Sequence, residues 1–297
     1  MYHNPVLLKE CISGLNINPS GVYVDVTFGG GGHSRQILKA LEDGRLIAFD
    51  QDSDSLANTL DDERFTLVNH NFRFLKNFLK LHNADEVDGI LADLGVSSHQ
   101  FDIPERGFST RFEADLDMRM NQNQAKTAAD ILNTYDEEDL RIMFRNYGEL
   151  NNPGCFTKAI INTRNNNTIN TTGQLIEAVS GCFPRHKRNK VLAQVFQAIR
   201  IEVNDEMAVL RELLVQSTEA LKPGGRLVII SYHSLEDRLV KNFIRSGNFE
   251  GKVDKDFYGN PIVEYKQITR KPMVPNEDEI VENSRARSAK LRIAEKI

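Results

Sequence analysis

Four consecutive glycines, at positions 29–32, interrupt an apolar segment and are followed by His33 and Ser34. Glycine adopts positive φ without strain and lets a ligand come close to the backbone. The apolar residues 22–26 before the glycines are typical of a buried parallel strand, and the residues after them can begin a helix. A strand, a glycine turn and a helix in this order predict a site for a nucleotide or a nucleoside, although a glycine-rich turn without a ligand has the same pattern.

The spacing of the glycines favours a nucleoside over a dinucleotide. The dinucleotide pattern G-x-G-x-x-G fails, because its last position is Ser34 when counted from Gly29 and Arg35 when counted from Gly30. An NAD-linked dehydrogenase is therefore the weakest interpretation. Asp50 ends a second apolar segment about 20 residues past the loop, where an acidic side chain can accept hydrogen bonds from both hydroxyls of a ribose. These features favour S-adenosylmethionine, which contains an adenosine but no pyrophosphate.

The segments around these residues alternate between strand and helix patterns. Their order is strand 22–26, helix 33–42, strand 45–50, helix 53–60, strand 65–69, helix 73–82 and strand 87–92. Such alternation predicts an α/β fold with a doubly wound parallel sheet and right-handed crossovers. Ligands of these folds bind at the carboxyl ends of the strands, which brings the glycine loop, Asp50, residues 69–72 and residues 93–100 to one crevice. Phe72 can stack there on an adenine or pack on its own helix.

The sheet pattern resumes after residue 203. Asn204 has the residue type of a helix N-cap, and the helix after it is predicted to end at residues 222–225. Residues 226–232 have a strand pattern that brings His233 to the same crevice. Residues 263–268 and 289–294 are expected to close the sheet as an antiparallel pair at its edge.

Residues 101–203 have no strong strand pattern but several helix caps. Capping-box spacing occurs twice, at Thr127 with Asp130 and at Thr171 with Gln174. We therefore expect a helical domain of residues 101–203, inserted into a first domain of residues 1–100 and 204–297 that contains the sheet. The insertion is predicted to recognise a nucleic-acid substrate through the basic run RHKRNK at residues 185–190, although such a run can also be only a solvated face.

The composition is that of an ordinary soluble protein. Of its 297 residues, 40% are hydrophobic, and the net charge is −5. Cys11, Cys155 and Cys182 are scattered without metal-ligand spacing, which predicts reduced, buried cysteines in a cytoplasmic protein without a metal site. No leader pattern opens the sequence and its longest apolar run, 227–232, has only the length of a strand, so neither export nor a membrane partner is expected.

Seven motifs follow one another along the chain: NPVLLKE, VDVTFGGGGHS, DGILADLGVSSHQ, ERGFS, LDMRM, ISYHSLEDR and SRARSAKLRIAE. In this order they closely resemble the bacterial 16S ribosomal RNA cytosine-N4 methyltransferases of the RsmH/MraW type. The resemblance implies a class I methyltransferase core with an inserted helical domain, acting on 16S rRNA or the 30S subunit, and it leaves a homodimer open. It also implies that S-adenosyl-L-methionine is bound by the matching positions Gly31, Gly32, His33, Asp50, Phe72, Asp93 and Gln100.

The sequence departs from this family pattern at four places. His99 replaces the proline of GVSSPQ, Tyr232 replaces the phenylalanine of ISFHSLEDR, and Ser284 replaces the proline of NPRSRSAKLR. Residues 190–194 have the sequence KVLAQ where HPATR is common. The RNA contact expected of that arginine is therefore assigned to Lys187, Arg188 or Lys190.

The reaction that the resemblance implies needs a proton acceptor. The lone pair of cytosine N4 is delocalised into the ring, so the site must accept hydrogen bonds from the amino group and take up a proton. Asp93, at the tip of the fourth strand, is the first candidate, with a cofactor contact or a helix cap as its alternative role. His233 is the second, with Ser231 beside it, and it can instead be a packing residue.

Aromatic and basic residues are the candidates for binding the RNA substrate. No aromatic residue directly follows Asp93, so we expect the base to stack on Phe108 or Tyr232, unless these lie in the core. Arg119 can contact phosphate or pair with an acidic neighbour. The remaining predicted contacts are Arg188, Arg285 and Arg287. Two alternatives stay open, an RNA-binding assembly factor that keeps a nucleoside pocket and a methyltransferase of DNA or protein.

Overall fold

Seven strands form one sheet in the computed structural model, which describes residues 5–297. They are β1 Val22–Asp25, β2 Arg45–Phe49, β3 Phe65–Val68, β4 Val87–Asp93, β5 Leu221–Ser231, β6 Tyr265–Gln267 and β7 Lys290–Lys296. The spatial order is β3-β2-β1-β4-β5-β7-β6, with β1 to β5 parallel and β7 antiparallel to both β5 and β6. The predicted α/β fold, with a doubly wound sheet and an antiparallel edge pair, is confirmed. Asn4, the first residue of the motif NPVLLKE, lies outside the described residues.

The described residues form helices α1 Leu8–Leu15, α2 Gly32–Ala40, α3 Leu75–Leu81, α4 Ser98–Asp102, α5 Ala128–Thr134, α6 Glu137–Asn146, α7 Pro153–Arg164, α8 Thr172–Val179, α9 Arg188–Asn204, α10 Glu206–Ala220, α11 Ser234–Ser246 and α12 Glu277–Glu282. Within residues 5–297, no helix has the length and apolar character needed to cross a membrane. The helix predicted at 53–60 is instead a short 3₁₀ helix, Ser53–Asn58. Its polar residues favour local side-chain bonds, and Asp52 accepts one from the N–H of Asp54.

The chain divides into two units, which are the described residues up to Gly95 together with Ala208–Ile297, and Val96–Met207. The first unit contains the sheet and the helices that cover it. Gly14, on α1, illustrates how closely they pack, because a Cβ there would lie 2.6 Å from the side chain of Ile293 on β7. The second unit is helical, and the predicted insertion of residues 101–203 lies within it.

The helical unit has an apolar core of its own. Phe144 on α6 and Phe156 on α7 lie in this core with their ring centroids 6.0 Å apart. Both predicted capping boxes are confirmed. Thr127 accepts a hydrogen bond from the third backbone N–H of α5, and Thr171 does the same for α8. Local sequence therefore sets where these two helices begin.

The prediction of three reduced cysteines is wrong, because Cys155 and Cys182 form a disulfide. Cys155 lies on α7, and Cys182 ends a 3₁₀ helix that continues from α8. Their separation of 27 residues gave no sign of a pair, but the packing of α7 against α8 brings their Cα atoms to 5.7 Å. Cys11 is free and buried, as predicted.

Two predicted boundaries near the return to the sheet are also wrong. Asn204 does not cap the next helix, because it is the last residue of α9 and its amide binds the backbone of Met118 and Met120. Strand β5 begins at Leu221 rather than at Arg226. Its register with β4 shifts at this end, so the turn residues 222–225 form an irregularity within the strand instead of preceding it.

Candidate active site

The candidate site lies at the carboxyl edge of the sheet, where β1 and β4 are neighbours. From β1 the chain builds outward through β2 and β3, then returns to place β4 on the other side of β1. Such a reversal of strand order opens a crevice for ligands in doubly wound folds. The glycine loop follows β1, Asp50 follows β2, Asp93 ends β4 and Tyr232 follows β5. The strand rule therefore predicted correctly that these residues share one edge.

The glycine loop is tied to the end of β2. The backbone N–H of Gly29 donates to Asp50 Oδ2 at 2.7 Å, and Asn58 Nδ2 donates to the carbonyl of Gly29 at 3.0 Å. A Cβ at Gly29 would meet no atom within 4 Å, so this side of the loop is open. The loop thus has a fixed backbone and a free face that a ligand can approach.

Packing and backbone conformation require glycine at positions 31 and 32. Gly31 has φ 72°, in the left-handed region, and a Cβ there would lie 2.9 Å from the ring of Phe28. A Cβ at Gly32, the first residue of α2, would lie 2.1 Å from Cγ of Pro5. The absence of side chains therefore allows α2 to begin directly against the segment that precedes α1.

Asp50 is partly buried and is held by backbone donors. Its Oδ2 accepts from Gly29, and its Oδ1 accepts from the N–H of Asp52 at 2.9 Å. Burial raises the pKa of Asp50 to about 7, although both of these hydrogen bonds act in the opposite direction. Each carboxylate oxygen can accept a further hydrogen bond. The group can thus receive ribose hydroxyls in the way that its place after β2 predicts.

Asp93 has three polar neighbours that fix it at the tip of β4. The hydroxyl of Tyr232 donates to Oδ1 at 2.7 Å, and the N–H of Asp93 donates to Oγ1 of Thr27 at 2.7 Å. Its Oδ2 lies 3.9 Å from Nδ1 of His33. Burial raises the pKa of Asp93 to about 6, while the charge of His33 and the hydrogen bond from Tyr232 lower it. The carboxyl group is therefore mostly ionised at neutral pH and still able to take up a proton.

His33 and Asp25 form a buried layer behind Asp93. His33 is 6% exposed, and its Nε2 lies 3.1 Å from the carbonyl of Val6, which can only accept, so Nε2 carries a proton. Asp25 accepts a hydrogen bond from Oγ of Ser34 at 2.7 Å, and burial raises the pKa of Asp25. Sequence reasoning missed Asp25 and Thr27. Their signal was the presence of polar residues at the end of an otherwise apolar strand.

His233 is the N-cap of α11. Its Nδ1 accepts from the N–H of Glu236 at 3.4 Å, and the Glu236 carboxylate accepts from the N–H groups of His233 and Tyr232. Its Nε2 lies 3.2 Å from Glu236 Oε1. Both ring nitrogens therefore face the same glutamate, an arrangement that fixes the start of the helix.

Three further predicted contacts belong to the sheet unit. Phe72 is partly buried and begins the 3₁₀ helix Phe72–Phe74, whose position is fixed by a two-bond ion pair between Arg73 and Glu212 on α10. Arg285 and Arg287 lie in the 3₁₀ helix Ser284–Ser288. Arg287 is exposed and Arg285 is partly buried.

Four predicted contacts belong to the helical unit. Gln100 is buried, and its side chain accepts from the N–H of Ser97 in the capping box of α4. Phe108 is 4% exposed and lies in the core of the helical unit, which was the alternative to stacking on a base. Arg119 donates two hydrogen bonds to Asp117, so it pairs with an acidic neighbour, which was the alternative to a phosphate contact. The fourth residue, Arg188, is exposed at the start of α9.

The mixed sheet, the glycine loop after its first strand and the partly buried acidic residues at its carboxyl edge form the fold of the class I methyltransferases.

More narrowly, the chain belongs to the MraW methylase family, whose profile matches residues 1–297. It is 61% identical over 297 residues to the ribosomal RNA small subunit methyltransferase H of Flavobacterium johnsoniae, covering 100% of this chain and 98% of that protein. It is 57% identical over 296 residues to the protein of the same name from Bacteroides thetaiotaomicron, covering 99% and 97%. The crystal structure of an rRNA methylase from Streptococcus thermophilus aligns with a TM-score of 0.42 at 12% identity, covering 98% of this chain and 92% of that one.

Proposed function

We propose that the protein transfers a methyl group from S-adenosylmethionine to the exocyclic N4 of a cytosine in 16S rRNA, as free RNA or in the 30S subunit, in the cytoplasm. The relatives named above are ribosomal RNA small subunit methyltransferases, which supports the substrate class. The observation that carries the proposal is the Asp93 carboxylate, held beside the glycine loop with a pKa of about 6. An exocyclic amine needs such an acceptor to act as a nucleophile.

The residues around the glycine loop fit S-adenosylmethionine. Asp50 is proposed to accept the ribose hydroxyls, because both of its oxygens are fixed at the end of β2 by backbone donors. The open side of Gly29 leaves room for a ligand against the backbone. The other proposed contacts are Gly31, Gly32, His33, Phe72, Asp93 and Gln100. When bound, the cofactor supplies an electrophilic methyl group on a sulfonium.

Asp93 is the proposed proton acceptor. As N4 forms its bond to the methyl carbon and the bond from that carbon to sulfur breaks, the amino group loses one proton, which the Asp93 carboxylate takes up. Hydrogen bonding of the amino group to the carboxylate also orients N4 for in-line attack. His233 is less suited to this role, because Nδ1 already accepts a backbone hydrogen bond and Nε2 faces Glu236.

The helical unit is proposed to bind RNA through the basic run at the start of α9. All residues from 185 to 190 are exposed, and four of them are Arg or Lys. The first turn of a helix has a positive dipole end, so these cations are not neutralised there and the local potential is positive. Such a surface attracts phosphate independently of base sequence. Arg285 and Arg287 are proposed as further phosphate contacts.

The function is tested by methyl transfer from labelled S-adenosylmethionine to three substrates, namely 30S particles, naked 16S rRNA and duplex DNA. We expect label in one or both RNA substrates and N4-methylcytidine in the nucleoside digest analysed by mass spectrometry. Asp93→Asn should lower kcat by about 10²–10⁴-fold, because the amide cannot take up the proton but can still accept from Tyr232. Asp62→Asn is the matched control, because Asp62 is also a partly buried carboxylate, and it pairs with Arg64 in the turn before β3.

Each contrary outcome identifies a different error. Label in DNA alone, or in a base position other than N4, would reject the proposed substrate. Wild-type activity in Asp93→Asn would reject the proposed proton acceptor. Binding of 16S rRNA without any methyl transfer would identify the alternative, an assembly factor with a nucleoside pocket.

A further inference from the structure

We propose that Tyr232 is a positioning residue for Asp93, and that its hydroxyl fixes the carboxylate in the orientation needed for proton uptake. The proposal rests on the proposed function, because it assigns Asp93 the role of proton acceptor. It concerns one of the four positions at which this sequence departs from the motif that it resembles, with tyrosine in place of phenylalanine.

The backbone brings the phenol to the carboxylate from the neighbouring strand. Asp93 is paired with Ile230 in the register of β4 and β5, and Tyr232 is the second residue past this pair. The N–H of Tyr232 donates to Glu236 Oε2 at 2.9 Å, which fixes its backbone at the start of α11. Its ring packs against the apolar core of the sheet unit, with Cδ2 3.8 Å from the position that a Cβ on Gly95 would take. The phenol therefore reaches Asp93 from a rigid support.

The hydroxyl acts as a donor and not as an acceptor. Burial, followed by the charge of Asp93, raises the pKa of Tyr232 well above its ordinary value, so the phenol keeps its proton at neutral pH. The hydrogen bond to Oδ1 is 2.7 Å long, in the range of a charge-assisted bond. Oδ1 is thereby engaged by Tyr232, while Oδ2 faces Nδ1 of His33 at 3.9 Å. One oxygen is fixed and the other remains for proton exchange.

Several charged groups act on Asp93, and their signs determine what the hydroxyl contributes. His33 on α2 favours the ionised carboxylate, whereas Asp25 on β1 and Glu236 on α11 disfavour it. Cys11 on α1 is neutral, because burial and the nearby Asp93 raise the pKa of its thiol. Tyr232, in contrast to these groups, acts through a direct hydrogen bond that its hydroxyl donates to the ionised carboxylate. Removal of the Tyr232 hydroxyl should therefore raise the pKa of Asp93.

The experiment compares Tyr232→Phe with the wild-type protein in kcat and kcat/KM between pH 5 and 9. We expect the acid limb of the rate profile to move upward by about one pH unit, because a charge-assisted hydrogen bond to the ionised carboxylate is lost. KM for the RNA should change less than twofold, since the hydroxyl has its partner within the protein. Phenylalanine keeps the ring and removes only the hydroxyl, so the variant should fold.

Tyr265→Phe is the matched control. This tyrosine also lies buried in the sheet unit, but its hydroxyl accepts from Thr218 and does not touch a carboxylate of the site. Tyr265→Phe should show any loss of stability that comes from removing a buried phenol hydroxyl, without shifting the acid limb of the rate profile. An acid limb that stays in place in Tyr232→Phe, or moves equally in Tyr265→Phe, would overturn the proposal.

A readout without turnover separates this proposal from the proposed function. The titration of the Asp93 carboxyl carbon can be followed by ¹³C NMR of aspartate-labelled protein and assigned with the Asp93→Asn variant. We expect the midpoint to rise in Tyr232→Phe whether or not the protein methylates rRNA. Absence of methyl transfer with a raised midpoint contradicts only the function, whereas an unchanged midpoint contradicts the hydrogen-bond role.

Discussion

Lowering the pH should weaken cofactor binding through the protonation of Asp50. Burial raises the pKa of this carboxyl group to about 7, so it titrates at a pH where most carboxylates are fully ionised. Its oxygens already accept from Gly29 and Asp52, and the ionised form is the one that can accept from two ribose hydroxyls as well. A ligand that uses this contact should therefore bind the ionised protein and release a proton from the protonated one.

The size of the effect follows from the titration of one group. With a pKa near 7, about nine-tenths of the protein is ionised at pH 8 and about one-tenth at pH 6. If binding requires the ionised form, the affinity should fall about tenfold over this interval, which is about 1.4 kcal/mol of binding free energy. At pH 7 the ligand should release about half a proton, because that fraction of the protein is protonated beforehand.

Isothermal titration calorimetry with S-adenosylhomocysteine measures both quantities. The dissociation constant is determined at pH 6, 7 and 8, and the released proton is counted at pH 7 in buffers of different ionisation enthalpy. Asp50→Asn cannot titrate, so it should bind weakly with a flat pH profile. Asp93→Asn should keep the slope, which separates Asp50 from the neighbouring acid with a pKa of about 6. A wild-type affinity constant within twofold from pH 6 to 8, or a slope that survives in Asp50→Asn, would refute the reasoning.

Two further predictions concern packing and the disulfide. Gly32→Ala should destabilise the protein by about 1–3 kcal/mol, because the added Cβ would lie 2.1 Å from Cγ of Pro5. Thermal unfolding should show this loss. Gly181→Ala is the control, since a Cβ there meets no atom within 4 Å. The double variant Cys155→Ser and Cys182→Ser should have a free energy of unfolding about 2–4 kcal/mol below that of the oxidised wild-type protein, because the crosslink restricts the unfolded chain. Urea unfolding with and without dithiothreitol checks this. Equal stability of the oxidised and reduced wild-type protein would contradict it.

The features that the sequence predicted well are those that depend on local patterns. Alternating strands and helices set the sheet, and Thr127 and Thr171 mark helix starts by residue type and spacing alone. The strand rule then placed Asp50 and Asp93 at one edge, because the carboxyl ends of parallel strands meet there. No side-chain contact was needed for these inferences.

The features that the sequence did not predict depend on partners distant in the chain. Tyr232 and Asp93 are 139 residues apart, so neither sequence segment indicates the hydrogen bond between them. Asn204 has the residue type of an N-cap, but the loop at Met118 and Met120 offers its amide better partners than the following helix does. The disulfide also depends on residues distant in the chain, since only the packing of the two helical segments brings its cysteines together.

The partly buried acidic residues at the carboxyl edge connect the stability of the protein to the charge of its ligand. Asp50 and Asp93 have folded-state pKa values of about 7 and about 6, above their ordinary value, so the folded protein binds more protons than the unfolded chain between about pH 4 and pH 7. The free energy of unfolding should therefore fall as the pH rises through this window. A ligand with a positive charge near these carboxylates offsets that loss, because it stabilises their ionised forms. The same arrangement that destabilises the free protein at neutral pH should therefore favour a positively charged ligand, such as the proposed sulfonium donor, over an uncharged nucleoside.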